Sequence, residues 1–94
     1  MLVERTEIVV KNGSENDFAA AMAMKGKPLL EDVDGVISVQ FGPGIENPSK
    51  FILLITWDSM AAHAAYNTTP ACTEIRRLIS PCAASASMEH FEIG

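Results

Sequence analysis

A chain of 94 residues sets the scale of one domain, 1–94, and a domain this short buries only a modest share of its surface alone. Twelve acidic against seven basic residues give a formal net charge of −5, and only Arg76 and Arg77 are adjacent, which argues against nucleic acid or an anionic membrane surface as a partner. Hydrophobic residues still make up 48% of the chain, so pairing with a second copy is the expected route to further burial.

Leu2 to Val10 reads as a strand that ends in the β-rich run Ile8-Val9-Val10, and Lys11-Asn12-Gly13 is a turn signal. Met1-Leu2-Val3 leads directly into Glu4 and Arg5, without the apolar run of a secretory leader. Ser14-Glu15-Asn16-Asp17 has the form of a capping box with Asp in place of Glu. The helix it opens places Phe18, Ala21, Met22 and Leu29 near one face, and Gly26 and Pro28 are expected to kink or interrupt it. Val36 to Phe41 alternates as a half-buried strand, with Ile37, Val39 and Phe41 on one side. Gly42 to Ser49, with two Gly and two Pro, is a loop.

Phe51 to Trp57 is a continuous apolar run, the pattern of a strand covered on both faces. Asp58-Ser59 caps a helix over Met60 to Asn67, and Thr69-Pro70 starts another whose buried stripe is Ala71, Ile75, Leu78 and Ile79. Ala84 to Ile93 is the last strand, with Phe91 and Ile93 on one face and Met88 and His90 on the other. Cys72 and Cys82 form no CxxC and are expected to be reduced thiols of a cytoplasmic protein. No stretch approaches the roughly 20 apolar residues of a membrane-spanning helix.

The order βαββαβ predicts an α+β, ferredoxin-like antiparallel sheet with helices on one face. Both parities of the third strand are largely apolar: Phe51, Leu53, Ile55 and Trp57 on one, Ile52, Leu54 and Thr56 on the other. A second copy of the sheet is the simplest cover for the helix-free face, giving a homodimeric α/β barrel.

Glu46-Asn47-Pro48, Phe51-Ile52-Leu53-Leu54, Trp57-Asp58-Ser59, His63 and Glu89-His90-Phe91, set in this order of elements, resemble the antibiotic biosynthesis monooxygenase family of dimeric α/β barrels. The resemblance implies a pocket between the sheet and its helices. It also implies cofactor-independent oxygenation of a small aromatic or quinol substrate, with His63 as the base. The donors of the quinol-oxidising members resemble a Trp, Asn, Tyr and Arg set, for which this chain offers Trp57, Asn47, Tyr66 and Arg77. The alternative is a non-catalytic dimeric barrel that binds a small apolar ligand. Haem-degrading members carry an Asn on the first strand, a further Trp and a ligand His. Here stand Glu4-Arg5-Thr6-Glu7, Tyr66, and Arg76 or Arg77, and a guanidinium does not ligate iron.

Each of these residues also has a structural reading. His63 can equally be a helix residue hydrogen-bonded into the helix–sheet interface, and Trp57 a core or dimer-interface aromatic. His90 either lines the pocket or caps the barrel rim. Tyr66 covers a helix end, and Arg77 falls off the apolar stripe onto a solvated face. Glu4, Glu7, Glu89 and Glu92 read as exposed strand positions or inter-subunit ion pairs. His63 and His90 lie far apart in sequence with no HxH or HxxxE pairing, so no metal site is expected from spacing; that no cofactor is needed is what the resemblance implies.

Overall fold

The computed structural model describes all 94 residues. Strands β1 (Leu2–Val10), β2 (Val36–Pro43), β3 (Lys50–Trp57) and β4 (Ala83–Glu92) form one antiparallel sheet in the order β2-β3-β1-β4. Helices α1 (Glu15–Ala21) and α2 (Lys27–Glu31) connect β1 to β2, while α3 (Met60–Tyr66) and α4 (Pro70–Ile79) connect β3 to β4. The predicted βαββαβ arrangement is therefore the observed one. No helix is long and apolar enough to cross a membrane.

Strand parity decides what enters the core. Glu4, Thr6, Ile8 and Val10 of β1 are buried, as are Phe51, Leu53, Ile55 and Trp57 of β3, because these positions share the face packed by the helices. The opposite face carries Val3, Arg5, Glu7 and Val9 beside Ile52, Leu54 and Thr56, and these residues are half-buried. On that face Arg5 pairs with both Glu7 and Glu89, and Lys50 lies 3.4 Å from Glu7. Ile37 departs from the expected alternation: the register shifts between Val36 and Ser38, and the bulge turns Ile37 outward to 66% exposure while Val39 stays buried.

The helix before β2 runs without a break from Glu15 to Glu31. Met22–Gly26 is π-helical, with the Lys27 amide donating to the Met22 carbonyl, and Pro28 sits in the first turn of α2. A proline has no amide to donate, and the wider turn just ahead of it absorbs that loss. The expected capping box does not form: the Ser14 side chain accepts no capping hydrogen bond. Glu15 does the local work, accepting from the Gly13 amide at 2.8 Å and from Ser49 Oγ at 2.7 Å. These bonds, Ser49 foremost, hold its carboxyl below the usual range. The other two caps form as expected, with Ser59 Oγ accepting from the Ala62 amide and Thr69 Oγ1 from the Cys72 amide.

Gly35 fixes the corner where the chain enters β2. Its φ is +87°, its carbonyl accepts from the Asp58 amide at 2.8 Å, and an added Cβ would collide with Ala62 Cβ and meet Asp58 Oδ1 at 3.0 Å. Gly13 has a similar φ of +91° but open space around it. Gly35→Ala should therefore cost about 2–4 kcal/mol, combining backbone strain with overpacking, and Gly13→Ala about 1 kcal/mol of strain alone. Urea denaturation of the two variants checks the ranking.

Candidate functional site

Glu4 is the residue whose position the sequence does not announce. Expected at an exposed strand position, it is only 3% exposed. Its parity places it on the helix-covered face with Ile8 and Val10. A carboxylate tolerates burial when donors replace its water. Here Trp57 Nε1 donates to Glu4 Oε1 at 3.1 Å, and Thr6 Oγ1 donates to Glu4 Oε2 at 2.7 Å. The sheet register brings these groups together. Glu4 lies opposite Ile55 on one side and His90 on the other, which makes Trp57 its diagonal neighbour on β3.

The helices complete the cluster. His63 of α3, 7% exposed, sits with its ring 5.2 Å from Trp57 in an edge-on arrangement and 4.4 Å from the His90 ring. Its Nε2 lies 3.4 Å from Glu4 Oε1 but makes no hydrogen bond, and His90 Nε2 is likewise buried without a partner. Burial pulls the His63 pKa below its ordinary value, with Glu4 opposing and His90 adding to the effect. Tyr66 follows less than a turn later, its ring 5.6 Å from Trp57. Burial, reinforced by the Cys72 thiol, raises its hydroxyl well above the phenol range, so Tyr66 remains a proton donor near neutrality.

A cavity of about 110 Å³ lies between the sheet and the helices. Glu4, Thr6, Tyr66, Asn67 and Arg76 form its polar side, and Leu53, Ile55, Ile75 and Met88 belong to its apolar wall. Tyr66 is also part of a wider outer cleft of about 500 Å³ between the end of α2, the Gly35 turn and α3. His63 lines neither space; its Nε2 lies 3.4 Å from Glu4, which lines the inner cavity.

The structure thus brings four of the six sequence-selected residues together: His63, Trp57, Tyr66 and His90. The other two stand elsewhere. Asn47 is in the exposed β2–β3 loop, where its Oδ1 accepts from the Ser49 amide at 3.1 Å, at the far end of β3 from Trp57. Arg77 is exposed and pairs with Glu74 at 3.1 Å. The amide and guanidinium that reach the cavity are those of Asn67 and Arg76. A helical count had the signal for Arg76, which lies one turn beyond the buried Cys72 and beside Ile75 and Ile79. Asn67 directly follows the buried Tyr66. His90 faces His63, with the two rings 4.4 Å apart.

A four-stranded antiparallel sheet in the order β2-β3-β1-β4, with helices linking β1 to β2 and β3 to β4, is the ferredoxin-like α+β fold. Within it, the chain belongs to the antibiotic biosynthesis monooxygenase family, whose model matches residues 1–78. A provisionally assigned antibiotic biosynthesis monooxygenase from Bordetella bronchiseptica is 26% identical and superposes with a TM-score of 0.90, over 99% of this chain and 96% of that one. A provisionally assigned relative from Nitrosomonas europaea, 17% identical, gives 0.85 over 98% and 97% of the two chains. One from Deinococcus radiodurans, 12% identical, gives 0.82 over 100% and 93%. The last two likenesses speak to the fold. No curated protein matches the chain in sequence.

Proposed function

We propose that this chain is a cofactor-independent monooxygenase-like protein that oxidises a single-ring phenol or hydroquinone in the cavity beside Glu4. The observation that carries this reading is the cavity's polar side, where a braced carboxylate shares a small apolar space with a guanidinium and a phenol. Glu4 takes the proton of the substrate hydroxyl. His63, the base expected from the sequence, stands behind Glu4 and acts through it. Arg76 and Tyr66 stabilise the phenolate that forms. An electron-rich phenolate then reduces O2 directly. For hydroquinone, one oxygen atom enters the ring and the other leaves as water, so hydroquinone plus O2 gives hydroxybenzoquinone plus H2O.

Cavity size supports a one-ring substrate. An engineered apolar cavity of about 150 Å³ accommodates benzene, so about 110 Å³ admits one ring after a small shift of the flexible Met88. Three fused rings do not fit. The same reading takes residues 1–94 as a single cytoplasmic domain that pairs through the helix-free sheet face as a homodimer.

An oxygen electrode tests it. Chelator-treated protein should consume one O2 per molecule of a one-ring hydroquinone and show no uptake with anthrone. Flat traces with both, accompanied by Tm increases on ligand addition, would favour the second reading, a non-catalytic binder of small apolar ligands. The outer cleft supports that alternative, since about 500 Å³ lies within the usual range for small-molecule sites.

A further inference from the structure

The cluster behind the cavity contains more than a base requires. We propose that Glu4, His63 and His90 form a binding site for a divalent first-row transition metal ion. One donor atom from each residue lies within 4.8 Å of the other two, and the Glu4–His63 pair is already at 3.4 Å. Bonds of about 2.0–2.1 Å from a tetrahedral ion to nitrogen and oxygen place two ligands roughly 3.4 Å apart. That pair therefore already has the required spacing, and a small side-chain adjustment of His90 completes the set.

The hydrogen bonding points the same way. His63 Nε2 and His90 Nε2 are both sealed from solvent with no partner, although buried polar atoms are ordinarily paired and leaving one unpaired costs about 1–3 kcal/mol. An ion satisfies both nitrogens at once. Glu4 is meanwhile braced by Trp57 and Thr6, the kind of outer support that orients metal-ligating carboxylates. The ligands come from two adjacent strands and one helix, with Glu4 and His90 directly opposite in the sheet register. Two imidazoles and one carboxylate select zinc, iron, cobalt, nickel or copper over magnesium and calcium, and three protein ligands leave a coordination position open.

The site goes beyond the oxidation reading and does not depend on it. A bound ion takes up the Glu4 and His63 lone pairs that the base chemistry uses, so the metal-loaded chain is the form inactive towards hydroquinone.

The test uses the chelator-treated full chain titrated with CoCl2. One Co(II) per chain should bind and show the visible bands of a four- or five-coordinate ion. Zn(II) should displace it and raise Tm by mass action, and Mg(II) should do neither. His90→Ala, at a half-buried position on the edge strand, should weaken Co(II) binding about 100-fold or more, and His90→Gln provides a second variant of similar size. Absence of the visible bands with no Zn(II)-dependent Tm rise would overturn the proposal, as would equal Co(II) binding by both His90 variants. Binding is read without substrate and oxygen uptake with chelator present, so failure of one leaves the other intact.

Discussion

Glu4→Gln should abolish most oxygen uptake with a one-ring hydroquinone, by a factor of about 10²–10⁴, and should leave the chain folded. The amide keeps one oxygen to accept from Trp57 Nε1, and its NH2 can donate to the Thr6 hydroxyl in place of the bond Thr6 now gives to Glu4. What is lost is the group that takes a proton at the cavity wall. Glu4→Leu separates this chemical role from the structural one. It strands the buried Trp57 N–H, at a cost of about 1–3 kcal/mol, and should lower the urea midpoint where Glu4→Gln does not. Full oxygen uptake by a folded Glu4→Gln protein would remove Glu4 from the chemistry.

Phe18→Ala has the largest expected effect on stability, a loss of about 3–5 kcal/mol. Phe18 is fully buried and joins the helical layer to the sheet. Its ring meets Phe51 edge-on at 5.0 Å and Phe41 at 5.8 Å, while Phe41 and Phe51 stack at 5.4 Å. Truncation removes the buried ring and both edge contacts and leaves a cavity in a chain that holds only about 5–14 kcal/mol in total at this length. Chemical denaturation should show a large drop in midpoint at unchanged slope. Ile45→Ala, at a position 93% exposed, should stay within about 0.5 kcal/mol of the parent.

The fold was legible because it is written in periodicity and turn chemistry. The β-rich end of β1, the continuous apolar run of β3, the Asn12-Gly13 turn, and the Ser59 and Thr69 caps each report a local preference that the tertiary structure also satisfies. Two local readings failed where one residue could serve two purposes. Ser14 and Asp17 suit a capping box, but Glu15 reaches Gly13 and Ser49 and ties the helix start to the β2–β3 loop. Ile37 continues the apolar alternation, but a bulge inverts it.

The site was legible only by residue type. His63, Trp57, Tyr66 and His90 are scarce residues, and scarcity singled them out. Glu4 and Arg76 belong to common classes that usually face solvent; the burial of Glu4, and the place of both beside a cavity, depend on tertiary packing that composition does not carry. Glu4 and His90 are separated by nearly the whole chain and become neighbours through the β1–β4 pairing alone. Glu4 did share strand parity with Ile8 and Val10, a signal outweighed by the expectation that a strand carboxylate stays wet.

The central claim is that a single aromatic ring occupies the cavity beside Glu4. A crystal structure of the chelator-treated protein soaked with resorcinol, a slowly oxidised hydroquinone isomer, tests it most directly. The ring should lie among Leu53, Ile55 and Ile75, with one hydroxyl within hydrogen-bond distance of Glu4 and near Arg76. A ring found only in the outer cleft near Ala62, or an inner cavity left empty at saturating ligand, would contradict it.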